Sequence, residues 1–263
     1  MNKYDRLFRL KGKIAVVVGG AGLIGKELIK GLSEAGALTI LADIDKENSI
    51  RVVNTLKRSG LNVFYRNLDI TQEKSVSGLI DFINTRYRKV DIWINCAYPK
   101  TLHWGNKFED VSVLDWKKNI DMHLNGYFVC CQLIAEYMKT KRSGSIINLA
   151  SIYGIVAPDF SIYENTKMTM PAAYSAIKGG IISFTKYLAS YYGKFNIRVN
   201  CISPGGLHDK QPQTFVKKYI KKTPLRRMAR SGDIVGGIIY LASDASKYVT
   251  GHNLVIDGGF SII

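Results

Sequence analysis

The sequence is poor in cysteine and in acidic residues, and it lacks long apolar runs. Its four cysteines form no C-x-x-C pair and have no histidine at zinc-ligand spacing, so neither a disulfide framework nor a metal site is expected. No run approaches the ~18 apolar residues that a membrane-spanning helix needs. The basic N-terminus is followed by no apolar stretch with a cleavage site, so we expect no secretory signal and a cytoplasmic location.

The shortage of acidic residues leaves a formal net charge of +16, from 37 Lys and Arg against 21 Asp and Glu. Much of it lies in residues 205–230, where eight basic residues are accompanied by the single acid Asp209. We call this segment the basic lobe and predict that it is a substrate lobe. The charge has two interpretations, general solubility or attraction of an anionic ligand. No recognition-helix or RNA-binding signature is present, so nucleic-acid binding is not expected.

Short β-branched apolar runs alternate with stretches of helical periodicity, and no linker or low-complexity segment interrupts them. This alternation predicts βαβ crossovers and a doubly wound parallel sheet with helices on both faces, in one domain over residues 1–263. With 46% apolar residues the chain can bury a full core. The predicted strands are 13–18, 38–42, 63–68, 90–95, 145–149 and 197–202, and the predicted helices are 26–35, 75–87, 116–138 and 172–191.

A glycine-rich turn, GGAGLIG, joins the first strand to the first helix. Gly19, Gly22 and Gly25 allow a tight turn and a close backbone approach to a pyrophosphate at the helix N-terminus. A merely structural strand-to-helix turn is the alternative. Asp43 favours the cofactor, since a carboxylate at the end of the second strand reads a ribose 2′-OH. It would repel a 2′-phosphate, so NAD is predicted over NADP.

A second group consists of Ser151, after the strand SIINL, with Tyr174 and Lys178 in YSAIK. Residues four apart share one helical face, so the lysine ammonium can lie close to the phenol. A tyrosine with an ordinary pKa of ~10 must approach neutrality to exchange protons with a hydroxyl or a carbonyl, and a neighbouring cation favours that change. Y-x-x-x-K alone is common on helix surfaces. Combined with the glycine turn and Asp43, it indicates proton-transfer chemistry.

These motifs make the chain resemble the short-chain dehydrogenase/reductase family in its compact single-domain branch, with a Rossmann-type fold. The resemblance covers nearly the whole chain, through LKGKIAVVVGGAGLIG, LDIT, INCA, NLAS, YSAIK, RVNCISPGG, TPLRRMA and LVIDGG. It implies an NAD-dependent oxidoreductase that interconverts a secondary alcohol and a ketone. Tyr174 is then the catalytic acid/base, and Ser151 binds the substrate oxygen. Lys178 holds the nicotinamide ribose and lowers the pKa of Tyr174.

The resemblance also implies the cofactor contacts. Asp69 is expected to meet the adenine, Asn95 and Ala97 to line the cofactor path, and Pro204 and Gly205 to lie against the nicotinamide end. The full set of predicted contacts is Gly19, Gly22, Leu23, Ile24, Gly25, Asp43, Asp69, Ile70, Asn95, Ala97, Tyr174, Lys178, Pro204 and Gly205.

Three positions depart from the family pattern. Leu23 stands where this branch usually has a second glycine, and we expect backbone groups to keep the phosphate contacts. His123 stands where the family places an asparagine in its proton relay. A relay through the imidazole is one interpretation, since histidine both donates and accepts hydrogen bonds, and a core histidine with Asn125 compensating is the other. NCAY puts Tyr98 at the edge of the site.

The 22 residues between Ser151 and Tyr174 are more than the family usually has. Either this insertion is an idle surface loop or, being anchored by two site residues, it shapes the substrate mouth. Tyr153, Tyr163, Glu164 and Asn165 are candidate sugar contacts. With NCAY and HLNGYF, the insertion resembles dehydrogenases of bacterial surface-sugar and flagellin-glycan pathways. A phosphorylated or nucleotide-linked sugar is therefore the predicted substrate.

A catalytically idle dinucleotide-binding sensor or scaffold subunit is the alternative function. It would need a broken site, whereas the predicted Ser, Tyr and Lys are all present. The resemblance further implies a homo-oligomer, a dimer or a tetramer, formed through helices 116–138 and 172–191, whose apolar faces exceed what one sheet covers.

Overall fold

The β-branched runs form one parallel sheet in the computed structural model, which describes residues 3–263. The strand order is β3-β2-β1-β4-β5-β6-β7, and every paired neighbour runs parallel. The strands are β1 (Ile14–Val18), β2 (Leu38–Asp43), β3 (Val63–Asn67), β4 (Ile92–Asn95), β5 (Gly144–Leu149), β6 (Ile197–Pro204) and β7 (Asn253–Ile256).

Helices cover both faces of this sheet. Five of its strands are buried along most of their length, which is why they read as continuous apolar runs and not as alternating ones. Successive residues face opposite sides, so Val16 joins one core cluster and Val17 the other. The helices are α1 (Lys3–Leu7), α2 (Gly25–Glu34), α3 (Lys46–Arg58), α4 (Glu73–Tyr87), α5 (Val113–Ile120), α6 (Gly126–Lys141), α7 (Ala172–Tyr192), α8 (Gln213–Lys221) and α9 (Gly232–Ala242).

The two faces are built by different helices. Buried side chains of α4, α6 and α7 pack with the Val16 cluster, and those of α2, α3 and α9 pack with the Val17 cluster. The predicted doubly wound parallel sheet, covered on both faces and forming a single domain, is therefore confirmed. Within residues 3–263, no helix combines the length and the apolarity that crossing a bilayer demands.

The predicted long helix over 116–138 is helical throughout, but it is not α-helical along its whole length. The chain forms α5, then a π-helical segment, Asp121–Asn125, and then α6. A single extra residue per turn does not disturb the apolar periodicity enough to be read from the sequence. Five further helices and strands were not predicted: α1, α3, α8, α9 and the short strand β7. For α3 the available signal was its N-cap, because the Asp45 carboxylate accepts from the Asn48 backbone N–H at 3.0 Å.

The strand order determines where a ligand can bind. The chain leaves β1 in one direction along the sheet, towards β2 and β3, and returns on the other side of β1 with β4. At such a switch point the loops after neighbouring strands separate and open a crevice at the carboxyl ends. The glycine turn follows β1, Asp43 ends β2, Ala97 and Tyr98 follow β4, Ser151 follows β5 and Gly205 follows β6. These predicted positions thus meet at one edge of the sheet.

Candidate active site

A cavity of about 880 Å³ lies at the carboxyl edge of the sheet. That volume falls within the usual range for small-molecule and cofactor sites. Its walls come from the loops after β1, β2, β3, β4, β5 and β6, together with α7. The predicted cofactor contacts that line it are Gly19, Gly22, Leu23, Ile24, Gly25, Asp43, Asp69, Ile70, Ala97, Tyr174, Lys178, Pro204 and Gly205.

The glycine turn is crowded where it must approach its neighbours. Gly19 has φ +78°, and a Cβ there would lie 2.5 Å from the Ala97 Cα. A Cβ on Gly25 would lie 2.1 Å from the Gly19 carbonyl oxygen. Gly22 lines the cavity, and α2 begins at Gly25, which lines it too, so the N-terminal end of this helix lies at the cavity. This glycine turn fits a pyrophosphate. The Leu23 side chain is exposed and does not fill the turn.

Asp43 ties the glycine turn to the end of β2. Its carboxylate accepts hydrogen bonds from the backbone N–H groups of Ala21, at 2.9 Å, and Asp45, at 3.0 Å. The carboxylate lines the cavity, and among residues 3–263 no arginine does. Asp69, one strand further along, accepts from the Thr71 backbone N–H at 2.9 Å and from its hydroxyl at 2.7 Å. Both carboxylates are therefore held by backbone groups in fixed positions at the cavity wall.

The structure corrects the prediction for Asn95. Its side chain is fully buried and does not line the cavity. The amide accepts from Trp93 Nε1 at 2.8 Å and donates to Asn148 Oδ1 at 2.8 Å. Asn148 in turn donates to the Thr185 hydroxyl at 3.0 Å. Asn95 thus belongs to a polar network inside the sheet that links β4, β5 and α7, and this network supports the cavity from below.

Ser151, Tyr174 and Lys178 come together as predicted. Ser151 neighbours Tyr174 and lowers the pKa of its phenol, and Lys178 Nζ lies 5.7 Å from the centre of the Tyr174 ring. Lys178 is buried and donates to the Leu149 carbonyl at 2.7 Å. The three side chains therefore form one cluster where the end of β5 meets the first turns of α7.

Burial controls protonation in this cluster. Desolvation raises the pKa of Tyr174, and the hydrogen bond from Ser151 opposes that rise without cancelling it. Desolvation also lowers the pKa of Lys178 to about 7. The expected lowering of the Tyr174 pKa by Lys178 is thus absent, because burial disfavours the charged form of each group and weakens the cation that was to provide it. Tyr174 is therefore neutral at neutral pH, whereas Lys178 is divided between its neutral and its charged form.

His123 lies beside this cluster, within the π-helical segment. The imidazole is fully buried, its Nε2 is 3.4 Å from Lys178 Nζ, and its Nδ1 has no hydrogen-bond partner in the described part of the chain. Burial, assisted by Lys178, holds the pKa of His123 well below its ordinary value. Asn125 does not compensate: it is exposed and donates to Asp121 Oδ1 at 2.8 Å, away from the imidazole.

Tyr98 and Trp104 pack around Tyr174. The Tyr98 ring centre lies 5.9 Å from that of Tyr174 and 5.4 Å from that of His123, both edge to face. Trp104 lies 6.3 Å from Tyr174 and donates its Nε1–H to the Tyr98 hydroxyl at 2.8 Å. The sequence placed Tyr98 at the edge of the site but gave no signal for Trp104, which follows β4 in an irregular loop.

The insertion and the basic lobe form a small core of their own. Tyr153 and Tyr163 have their hydroxyls 3.4 Å apart, and Tyr163 packs against Phe215 with ring centres 5.2 Å apart. Further buried members of this core include Tyr219 and Phe260. The insertion is therefore packed against α8 and does not lie free on the surface.

Ion pairs join the same two segments. Lys218 pairs with Glu164 at 3.2 Å, and Lys222 pairs with Asp159. Arg227 pairs with Asp233 at the start of α9. Part of the repulsion expected within the basic lobe is thus relieved by acids from outside it. None of its eight basic residues lines the cavity described here, whereas Leu207, Asp209 and Gln211 do.

Comparison with known proteins shows similarity along the whole chain. A family model described as enoyl-(acyl carrier protein) reductase matches residues 20–261. The chain is 37% identical over 259 residues to post-translational flagellin modification protein A of Campylobacter coli, covering 96% of this chain and 100% of that protein.

Two solved structures show the same fold. A short-chain dehydrogenase from Leptospira borgpetersenii with bound NAD⁺ is 35% identical with a TM-score of 0.84, covering 99% of this chain and 96% of that chain. A gluconate 5-dehydrogenase from Burkholderia cenocepacia in complex with NADP and tartrate is 26% identical with a TM-score of 0.89, covering 99% of both chains.

Proposed function

Because the chain belongs to the short-chain dehydrogenase/reductase family, we propose that it interconverts a secondary alcohol and a ketone with NAD as its cofactor, on a sugar-type substrate. It is an NAD(P)-dependent oxidoreductase that acts on CH–OH groups, as members of this family are. One observation carries the proposal: Tyr174 and Lys178 line the same cavity as the glycine turn, and Ser151 lies beside Tyr174.

Some residues at the cavity wall would bind the cofactor, and others would transfer the proton. The glycine turn and the N-terminus of α2 would hold the pyrophosphate, Asp43 the adenine ribose and Asp69 the adenine end. Ala97, Pro204 and Gly205 would border the nicotinamide. When bound, the nicotinamide supplies or accepts a hydride.

Tyr174 is proposed to exchange the proton. In ketone reduction its neutral phenol donates to the substrate oxygen, while the Ser151 hydroxyl holds that oxygen in place. A raised pKa keeps the phenol protonated, which suits this direction. In alcohol oxidation Tyr174 must first lose its proton, and a charged Lys178 beside it would stabilise the phenolate. The Leu149 carbonyl holds the ammonium group in that position.

His123 is proposed to continue the proton path behind Lys178. Its Nε2 faces Lys178 Nζ, and its neutral imidazole can accept a proton at one nitrogen while it releases one from the other. The unpaired Nδ1 leaves that second nitrogen available for a water molecule.

The choice of NAD rests on Asp43. A carboxylate fixed by two backbone N–H groups cannot turn away from a 2′-phosphate, and no arginine among residues 3–263 lines the cavity to neutralise it. Wild type should therefore bind NADH more tightly than NADPH in a fluorescence titration. Asp43→Ala should weaken the binding of NADH and reduce the difference between the two affinities. Tighter binding of NADPH by wild type would overturn this assignment.

The sugar-type substrate is supported by the relatives and not by the insertion, because none of residues 152–173 lines the cavity. The Campylobacter coli relative modifies flagellin, and the Burkholderia cenocepacia structure is of a gluconate dehydrogenase. That the sugar carries phosphate or a nucleotide, recognised by the basic lobe over 205–230, stays a prediction. If so, the KM of the phosphorylated substrate should rise with ionic strength and inorganic phosphate should compete with it. If the best substrate is neutral and its KM does not change with ionic strength, the prediction of an anionic sugar is wrong.

The decisive experiment compares turnover by wild type with turnover by a variant that lacks the Tyr174 hydroxyl. NAD⁺ reduction and NADH oxidation are screened against free, phosphorylated and nucleotide-linked sugars, with Tyr174→Phe as the matched variant. We expect that variant to lose turnover while its NADH affinity stays within a few fold, because only the proton donor is removed. Retained turnover in Tyr174→Phe would sink the mechanism, and binding of NADH by wild type without any turnover would favour an idle dinucleotide sensor.

Self-association as a dimer or tetramer and a cytoplasmic location complete the proposal. Exposed aromatic rings on α6 and α7 support the first. Four free cysteines, three of them buried, suit a reducing compartment and support the second.

A further inference from the structure

Three aromatic side chains meet edge to face at the mouth of the cavity. The ring centres of Tyr98 and Trp104 are 5.7 Å apart, those of Tyr98 and Tyr174 are 5.9 Å apart, and those of Trp104 and Tyr174 are 6.3 Å apart. Tyr98 follows Ala97, which packs on the glycine turn, and both Tyr98 and Tyr174 line the cavity. These two phenols therefore border the space left for the substrate, and the Trp104 ring packs against both.

The Tyr98 hydroxyl accepts one hydrogen bond and is available to donate another. Trp104 Nε1–H donates to this oxygen at 2.8 Å, and an indole N–H cannot accept in return. Within residues 3–263, the Tyr98 proton has no acceptor of its own. Burial and the neighbouring Tyr174 phenol raise the pKa of Tyr98, so the proton stays on the oxygen. The side chain is nevertheless 45% exposed and lines the cavity.

We propose that Tyr98 determines substrate specificity, by donating its phenolic O–H to a second substrate oxygen on the carbon next to the one that Tyr174 serves. The inference rests on the proposed function of Tyr174. Two phenols whose rings are in contact suit two oxygens on neighbouring carbons. The substrate class is then the vicinal diol and its α-hydroxy ketone, the pattern that polyols and sugars carry. Trp104 is a positioning residue, because it orients the Tyr98 hydroxyl without reaching the substrate.

A purely structural role makes a different prediction. If Tyr98 only packs against the Tyr174 ring, its aromatic ring is sufficient for that role, and Tyr98→Phe should leave ligand affinity unchanged. Tyr98→Phe removes the hydrogen bond from Trp104 in the free and in the ligand-bound protein alike. If the Tyr98 hydroxyl binds substrate, the variant also loses the hydrogen bond to the ligand, which corresponds to about tenfold in affinity. The loss should apply only to ligands with the second oxygen.

The test compares 2,3-butanediol with 2-butanol, which differ in that oxygen. Dissociation constants are measured by ligand-observed NMR in the presence of NADH, with which an alcohol does not react. Wild type should prefer the diol. Tyr98→Phe should weaken the diol about tenfold and leave 2-butanol unchanged, and Trp104→Phe should shift the diol in the same direction by less. Tyr248→Phe, on a fully exposed side chain, is the matched control and should behave as wild type.

Turnover of both alcohols with NAD⁺ separates this inference from the proposed function. A diol preference that disappears in Tyr98→Phe, without turnover of any alcohol by wild type, would support Tyr98 and reject the dehydrogenase mechanism. Turnover by wild type, with the same diol preference in wild type and Tyr98→Phe, would support the dehydrogenase mechanism and reject the role of Tyr98. Equal binding of the two alcohols by wild type, or equal weakening of both in Tyr98→Phe, overturns the inference.

Discussion

At the scale of single residues, the site is governed by the burial of groups that are charged in water. Lys178 makes two polar contacts, to the Leu149 carbonyl and to the His123 imidazole, and no carboxylate among residues 3–263 pairs with it. A buried ammonium with no counter-ion is costly, and its pKa falls until the neutral amine is accessible near neutral pH. The fold thus tolerates a destabilising group at the place of the proposed proton transfer.

The cost of Lys178 should be measurable as pH-dependent stability. Its pKa in the folded chain is about 7 against an ordinary 10.5, so the unfolded chain binds more protons between those values and stability rises with pH across that window. Lys178→Met removes this dependence. Its free energy of unfolding relative to wild type should therefore fall by about 3 kcal/mol from pH 6 to pH 9, as measured by urea denaturation. Lys247→Met, at an exposed lysine, should show no such trend, and a pH-independent difference for Lys178→Met would contradict the buried ammonium.

At the scale of elements, the π-helical segment between α5 and α6 brings His123 inward. Its extra residue shifts the residues that follow by about 100° around the helix axis relative to a regular α-helix, because each α-helical residue turns the chain by about 100°. The π-helical segment Asp121–Asn125 instead buries the imidazole beside Lys178 while Asp121 and Asn125 bond to each other at the surface. Such segments occur frequently at functional sites.

The role of His123 can be separated from its packing. His123→Asn restores the side chain that the family uses in its relay and should keep activity within about tenfold of wild type. His123→Leu should lose activity while its melting temperature stays at or above that of wild type, because it removes a buried nitrogen without a partner. Full activity in a stable Leu variant would return His123 to a packing role.

A second pair of elements, the insertion and α8, should move as one unit. Phe215 is buried against Tyr163, whereas Phe160 packs against the same ring but is 58% exposed. Phe215→Ala should destabilise this small core by about 3 kcal/mol, expose the basic lobe to trypsin and raise the KM of the substrate, with NADH affinity unchanged. Phe160→Ala is the matched control and should do none of these. Equal proteolysis of the two variants would indicate that the insertion and α8 are not coupled.

At the scale of the whole molecule, one surface carries an unusual row of aromatic rings. Phe184 stacks on Tyr187 and Tyr187 on Tyr191 along α7, with Phe128 of α6 alongside. Tyr187 and Tyr191 are more than half exposed, although they are flanked by apolar neighbours. An exposed aromatic strip of this kind is typical of an association surface. A second copy of the chain would cover it and bring two helix pairs together.

Association should depend on this strip. Wild type is expected to run as a dimer or tetramer in size-exclusion chromatography with light scattering at micromolar concentration. Tyr187→Lys combined with Tyr191→Lys should shift it towards the monomer, since a charge would replace apolar area at the centre of the contact. Tyr248→Lys, fully exposed elsewhere, should leave the assembly intact. A monomeric wild type would reject the strip as an interface.

The sequence by itself determined the sheet, its class and most of the cavity. Short β-branched runs that alternate with helical stretches favour parallel strands buried on both faces, and the residues at the carboxyl ends of such strands share one edge of the sheet. For the same local reason, Y-x-x-x-K predicted that Tyr174 and Lys178 are neighbours, because a helix determines which residues share a face.

Only the tertiary structure decided what these neighbours do to one another. Desolvation depends on everything packed around a group, so the raised pKa of Tyr174 and the lowered pKa of Lys178 could not be read from their spacing. Long-range pairing likewise directed Asn95 into the sheet and joined Lys222 to Asp159. Local patterns depend on backbone periodicity, which a sequence displays, whereas burial and ion pairing depend on distant segments that only the folded chain brings together.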